Sequence, residues 1–325
     1  MATGAPLDRR ALTERLKALA HEEGFELAGT CRADPPETLP AFSEWLEKGR
    51  HADMDWLAES LPLRQDPSQL LPGVQSVLAV GINYHQPTDP RPEYPLIARY
   101  ALGRDYHKLL RKKLKRVAVA AQRDFPQAEF RACVDSAPLL EREYAQRAGL
   151  GWPGKNTCLI HTKTGSWYLL GFLLTTLELE PDAPAEGDCG TCRLCIDACP
   201  TGAIVHREGR WQVDSRECIS YWTIEASGEI PPRIAERMGR WTFGCDICQE
   251  VCPFNKPREK APARAPDTTE PAFLEKREWP PLQQLAQISD EEFDRLTQGS
   301  PVRRAGAEGL RRNARLALRN PKADS

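Results

Sequence analysis

Across residues 8–23 the apolar side chains Ala11, Leu12, Leu16 and Leu19 recur at helical spacing, and Asp8 stands where an N-cap carboxylate would sit. Short apolar runs at 25–29 and 77–82 predict strands. Residues 105–123 alternate charged and apolar positions as a long amphipathic helix, 129–134 reads as a strand and 138–148 as a further helix. Residues 157–162 and 167–179 read as two strands turned at Lys163-Thr164-Gly165. This mixture predicts an α+β protein whose N-terminal part is an α/β sandwich. The pattern breaks at EPDAPAEGD (180–188), rich in proline and acid, and again at 256–271. Beyond the second break only helical patterning remains, at 282–287, 290–296 and 302–319. The expected organisation is residues 1–180 as the sandwich, 181–257 as a cysteine-dense domain and 258–325 as a short helical C-terminal region.

Composition narrows the class. The 325 residues are 41% hydrophobic and 28% charged with a formal charge of -2, which suits a globular chain and excludes a disordered one. MATGAPLDRR lacks the apolar core of a secretion signal, and the longest apolar run, 167–177, falls short of the ~18 residues that span a bilayer. The expectation is a cytoplasmic protein with no membrane partner. Seven of the eleven cysteines fall in two runs, and a reducing compartment favours metal ligation over disulfides. Cys31, Cys133 and Cys158 stand apart and read as ordinary small buried residues.

The first run, CGTCRLCIDACP (189–200), has the spacing C-x2-C-x2-C-x3-C-P, and the second, CDICQEVCP (245–253), holds three cysteines. In a bacterial ferredoxin the first three cysteines of a run hold one cluster and the fourth ligates the other. On that template the second run lacks its first ligand, since position 242 is Thr242. Cys218, in SRECISYW between the runs, is the obvious substitute. The expected sets are Cys189, Cys192, Cys195 and Cys252 on one 4Fe-4S cluster, and Cys199, Cys218, Cys245 and Cys248 on the other. Paired zinc sites share the C-x2-C spacing, but the full x2-x2-x3 run ending in Cys-Pro favours iron and sulfide.

Other chemistry is sparse. GLGWPGKN (149–156) approaches a phosphate loop, but Asn156 stands where magnesium needs a hydroxyl, and a helix pattern precedes it where a strand is required. No G-x-G-x-x-G follows a strand. Asp135, in ACVDSAPLLERE after the 129–134 strand, is either a turn or N-cap carboxylate or a site residue.

RYALGRDYHKLLRKKL, VDSAPLLEREYAQRAGLGWPGKNTCLI, CGTCRLCIDACPTGAI, RECISYWTIE and GCDICQEVCPFNK together resemble the epoxyqueuosine reductase family over most of residues 7–320. The resemblance implies a cobalamin-dependent iron–sulfur enzyme that reduces the epoxide of epoxyqueuosine in a tRNA anticodon to the alkene. It assigns the proton donor to Asp135, whose pKa would then lie above the ~3.9 of a free aspartic acid. It further implies that the first domain cradles the corrin. Arg64, Arg99, Lys155 and Asn156 are placed for corrin amides, and Asp135, Ser220 and Asp246 where the cofactor approaches. An external low-potential electron donor and a monomer are expected.

Two basic stretches suit phosphate contacts: residues 99–116 carry eight Lys/Arg against one acid, and 301–320 carry six Arg against one Glu. Tyr221, Trp222 and Trp241 flank cluster cysteines and offer stacking faces for unpaired bases, or core packing. Some relatives continue into helical repeats where this sequence ends after GLRRNARLALRN, so RNA binding is expected to rely on that short helical end. The rival readings are an electron-transfer protein without its own substrate site, which would not retain corrin, and another cobalamin and iron–sulfur reductase such as a dehalogenase.

Overall fold

The computed structural model describes residues 8–256 and 265–320. Four strands, β1 (Leu27–Arg32), β2 (Ser76–Asn83), β7 (Tyr168–Thr175) and β4 (Phe130–Cys133), form an antiparallel sheet in that order. Every residue of β2 is buried. Its alternate side chains reach opposite faces: Leu78, Val80 and Ile82 meet one set of helices, Val77 and Ala79 another. On the first face the Arg9–Glu22 helix presents Leu12, Leu16 and Leu19, and the Tyr106–Asp124 helix presents Leu110, Leu114 and Val117. Asp8 caps the first of these helices by accepting the Arg10 N–H. On the second face the Glu141–Arg147 helix packs Tyr144 and Ala145. Gly29 of β1 permits that approach, because a Cβ there would lie 1.9 Å from the Ala148 carbonyl oxygen. The chain is thus the expected α+β sandwich, helices covering both sides of one sheet. Leu114→Ala, which empties a fully buried position, should cost about 2–5 kcal/mol of stability, read from the denaturation midpoint.

Three local expectations shift. The 25–29 strand forms at Leu27–Arg32, with Phe25 buried in the core instead. The 138–148 helix starts only at Glu141, because Leu140 is held at a non-helical ψ of 73° and the Leu139 N–H turns back to the Ala137 carbonyl. The 157–179 hairpin is only a single bridge, His161 to Gly165. β6 (Leu159–Ile160) pairs instead with β5 (Trp152–Pro153), while β7 is inserted between β2 and β4. Residues 171–175 are all buried, and a lone hairpin could not cover both their faces.

The 180–188 break is a strap. Asp182 accepts from the Thr30 N–H (2.7 Å) and from Lys17 Nζ (2.6 Å), and the Glu180 carbonyl accepts the Thr13 and Thr30 hydroxyls. Beyond it comes the β8–β9 hairpin (Ile204–Arg207, Arg210–Val213). β10 (Trp241–Phe243) then returns to pair in parallel with β3 (Leu96–Ile97) of the first domain. Thr242 lies in this pairing, its hydroxyl donating to the Leu96 carbonyl, so the position that lacks a cysteine carries a strand contact.

The Leu282–Leu285, Asp290–Thr297 and Gly306–Arg319 helices match the three C-terminal helical expectations, the last preceded by a 3-10 turn at Pro301–Ala305. Leu310, Ala314 and Ala317 pack against Ile97 and Phe243. Fully buried Asn313 donates to the carbonyls of Thr223 and Thr242 (2.9 Å each), which ties the C-terminal helix to the cysteine domain. Most of the second predicted break, residues 257–264, lies outside the described residues. Among the described residues no helix is long and apolar enough to cross a membrane.

Candidate active site

β4 ends at Cys133, and two residues later Asp135 adopts φ +37°. A non-glycine residue held in this region costs on the order of 1–3 kcal/mol, so the surrounding contacts must fix it. They do. The Tyr106 hydroxyl donates to Asp135 Oδ2 (3.1 Å), and His107 Nε2 lies 2.7 Å from the same oxygen. The other ring nitrogen, Nδ1, lies 2.8 Å from Asp105 Oδ1, which also caps the Tyr106–Asp124 helix by accepting the His107 N–H. The helix N-terminus therefore carries an Asp105–His107–Asp135 chain. The capping alternative for Asp135 falls away, because the next helix begins at Glu141 behind Leu140 without a side-chain cap.

An imidazole between two carboxylates can donate from both nitrogens only when protonated. Burial alone would lower the His107 pKa, but the hydrogen bonds and charges of Asp105 and Asp135 reverse this and lift it to about 9. Burial likewise works to raise Asp135. There, however, His107 and Tyr106 outweigh it and hold the carboxyl below its ordinary value, with Arg304 assisting. The expected upward shift of Asp135 is thus reversed, because its partners stabilise the carboxylate. Glu141 behaves oppositely. Burial first, then the Asp135 charge, push it up to about 8, and its Oε1 is enclosed with no hydrogen-bond partner.

The other predicted site residues form connected supports. Arg64 donates to the Leu139 carbonyl (3.0 Å) and lies over the Phe42 ring, beneath the loop that follows Asp135. Arg99 pairs with Asp246 through its backbone N–H (2.8 Å) and with Glu250 through Nη1 (2.6 Å), its guanidinium over Trp167. Asp246 is nearly fully buried, and burial raises its pKa to about 6 despite Arg99. Lys155 donates to the Gly190 and Cys192 carbonyls, and Asn156 donates to the Cys248 carbonyl. The near phosphate loop is therefore a clamp that grips both cysteine runs. Ser220 lies in the helix Ile219–Ile224 directly after Cys218. Near Arg99, Gln86 donates to the Phe273 carbonyl while its buried Oε1 has no partner.

Cys189, Cys192, Cys195 and Cys252 line one cavity with Ile160, Pro253 and Phe254. Cys218 neighbours Cys199 and Cys248, and Cys245 neighbours Cys218 and Cys248, so these four form a second group. Two short helices, Leu194–Asp197 and Ile247–Glu250, pack together and bring the runs into contact. Cys31 and Cys133 are buried small residues as expected. Cys158 is not of that kind: it sits against Cys248, a ninth thiol at the second group. Tyr221 and Trp241 are buried, which gives them to the core, while Trp222 is partly exposed with its indole N–H on the Arg216 carbonyl.

Sequence reasoning missed Asp105, Tyr106, His107 and Glu141 as site residues. The available signal was RDYHK at a predicted helix start, with a capping aspartate two residues before a histidine. What it lacked was the partner, 28 residues further on.

A two-cluster ferredoxin-like module locked to a sandwich domain with its own strained acid loop defines an iron–sulfur oxidoreductase that carries a substrate domain. Residues 188–255 match the family described as 4Fe-4S double cluster binding domain, and residues 64–136 match Epoxyqueuosine reductase QueG, DUF1730. The chain is 41% identical to the epoxyqueuosine reductase of Escherichia coli (strain K12), over 97% of this chain and 83% of that one. It is 44% identical to that of Gloeobacter violaceus, over 94% and 95%. A crystal structure of epoxyqueuosine reductase with an epoxyqueuosine-modified tRNA-Tyr stem loop superposes with TM-score 0.81 at 28% identity, covering 97% of this chain and 82% of that one. A reductive dehalogenase described as B12-dependent shares the fold at TM-score 0.51 and 16% identity, over 99% of this chain and 39% of that one. This chain belongs to the epoxyqueuosine reductase family.

Proposed function

We propose that this protein reduces epoxyqueuosine to queuosine within the anticodon loop of tRNA, with Asp135 delivering protons to the departing epoxide oxygen. The observation that carries this is the Asp105–His107–Asp135 chain, held at a strained loop in the same body as two four-cysteine groups. Family membership and the tRNA stem loop bound by a relative support the substrate. The reaction converts an epoxide, two electrons and two protons into an alkene and water. An external low-potential one-electron donor supplies the electrons.

The residues present fit the implied cofactors. Four thiols around one cavity and four grouped beside it suit two 4Fe-4S clusters, since soft thiolates match iron and sulfide. We assign Cys189, Cys192, Cys195 and Cys252 to one and Cys199, Cys218, Cys245 and Cys248 to the other. The buried, unpartnered Gln86 Oε1 near Arg99 and Glu141 Oε1 near Asp135 suit the amide N–H donors on the rim of a corrin. Arg64, Arg99, Lys155, Asn156, Ser220 and Asp246 would support cobalamin from the sandwich and cysteine sides. When bound, these groups would carry electrons singly from the donor to the epoxide.

The chain's own task is the proton. An alkoxide is a poor leaving group until protonated, and a positioned acid contributes on the order of 10²–10⁴ in rate. His107 holds a proton up to about pH 9 and lies 2.7 Å from Asp135 Oδ2, so the carboxylate relays that proton only as the departing alkoxide, a far stronger base, draws it. Tyr106 fixes the carboxylate. Because the His107 pKa is raised, its proton is present below that value and lost above it. Turnover should therefore fall on the alkaline side with an apparent pKa near 9, and His107→Gln should abolish that limb, read from a pH–rate profile. A raised histidine pKa also stabilises the fold most at low pH, and this contribution should disappear as pH rises through about 9. The deciding experiment is nucleoside mass spectrometry of tRNA before and after incubation with the reduced, loaded protein. Persistence of epoxyqueuosine would overturn the proposal.

A further inference from the structure

The two basic stretches meet different fates in the fold. In the C-terminal one, Arg304 pairs with Glu225, Arg303 with Asp294, and Arg311 with Asp290 and Glu308. Arg312 gives its guanidinium to the carbonyls of Ala226, Gly228 and Trp222, and Arg315 bonds the Ala286 carbonyl. These side chains hold the C-terminal helices in place. In the first stretch, Arg99, Arg104, Lys113 and Arg116 are likewise paired, with Asp246 and Glu250, Glu275, Glu270, and Glu23.

Among the described residues Arg319 alone is left without a partner in the C-terminal stretch, whereas four cations remain in the first. Lys108, Arg111, Lys112 and Lys115 are exposed on the Tyr106–Asp124 helix. Arg111 touches only a neutral group, the Ser136 hydroxyl, and the three lysines have neither ion pair nor hydrogen bond among the described residues. Their spacing of 0, 3, 4 and 7 puts all four on one side of the helix, neighbours about 5–6 Å apart at Cβ. No acid occurs in that helix before Asp124. The stripe starts one residue after His107, and Arg111 contacts the residue after Asp135. Uncompensated charge in line with the acid loop is what an RNA strand would need once its reacting base sits at Asp135.

We propose that Lys108, Arg111, Lys112 and Lys115 form the phosphate track on which the RNA strand adjoining the modified base lies. This rests on the tRNA reading above and moves the electrostatic contact from the C-terminal end to this helix. Lysines on phosphates set position and affinity without reading sequence, so the track should act alike on every tRNA that carries the base.

The test is a triple substitution, Lys108→Ala, Lys112→Ala and Lys115→Ala, in the loaded full chain. An epoxyqueuosine-containing anticodon stem-loop is the probe, with binding followed by fluorescence anisotropy between about 50 and 200 mM salt. Each phosphate contact contributes about 0.7–0.9 to the slope of log affinity against log salt, so the slope should shrink by roughly 2–3. The loss of turnover should fall on KM rather than kcat. A double variant at exposed cations elsewhere, Lys48→Ala and Arg207→Ala, should leave the slope unchanged. An unaltered slope and KM in the triple variant, or an equal change in the double one, overturns the track. Conversion of the stem-loop by the unsubstituted protein, read by mass spectrometry in the same samples, judges the reaction separately. A reduced slope without conversion would keep the track and remove the reaction.

Discussion

Asp135→Asn should lower kcat by roughly 10²–10⁴ while cluster and corrin content stay unchanged, the range expected for removing a positioned acid. Asparagine keeps the volume and still accepts the Tyr106 hydroxyl, but it can neither take a proton from His107 nor pass one on. A second signature accompanies the loss. With one of its two carboxylate partners gone, the His107 pKa should fall from about 9 toward the ordinary imidazole value, measurable by NMR titration of the ring without any turnover. Unchanged kcat with an unchanged imidazole titration would remove Asp135 from the reaction. The strain at φ +37° gives a companion measurement: Asp135→Gly should relieve on the order of 1 kcal/mol of backbone strain even as activity is lost, the pattern of a residue kept for chemistry.

Cys218→Ala should lose one cluster, with iron falling from about eight to about four per chain and the electron paramagnetic signal of one reduced cluster retained. The reasoning is geometric: Cys218 begins the helix Ile219–Ile224 and meets Cys199, Cys245 and Cys248, so no fourth thiolate of its group stands elsewhere in the first domain except Cys158. That neighbour supplies the control. Cys158→Ala should keep both clusters, and the reverse result, iron lost with Cys158 and retained without Cys218, would reassign the eighth ligand. Turnover of the Cys218 variant should vanish with the cluster, because electrons must still cross from the donor to the epoxide.

How legible was this in the sequence? The sheet strands and long helices were visible because a buried sheet and an amphipathic helix impose periods of 2 and 3.6 on the residues themselves. The run 105–123 appears within a residue of its predicted limits for that reason. The hairpin drawn at 157–179 failed because adjacency in sequence does not decide strand pairing. β7 needed both faces covered, and only β2 and β4 with their helices provide that. The acidic stretch 180–188 breaks the pattern by composition, and its carboxylate and carbonyl oxygens are what bind it to Thr30 and Lys17. Charge counting overestimated the C-terminal arginines, since a count cannot distinguish a cation facing solvent from one spent on Glu225 or on a carbonyl.

By itself the sequence determined the two cysteine runs, with Thr242 where the second lacks a cysteine and Cys218 as the thiol between them, because thiolate spacing along a short chain is set by the cluster each run must wrap. It also determined the family, through motifs spread over most of the chain. Only the tertiary structure decided which partners shift Asp135 and His107. The pKa values of Asp135 and His107 are properties of a contact between a helix start and a strand end, and neither residue carries that information alone. The same holds for the phosphate track: which lysines remain unpaired is fixed by the carboxylates that folding brings to their neighbours, at distances no periodicity encodes.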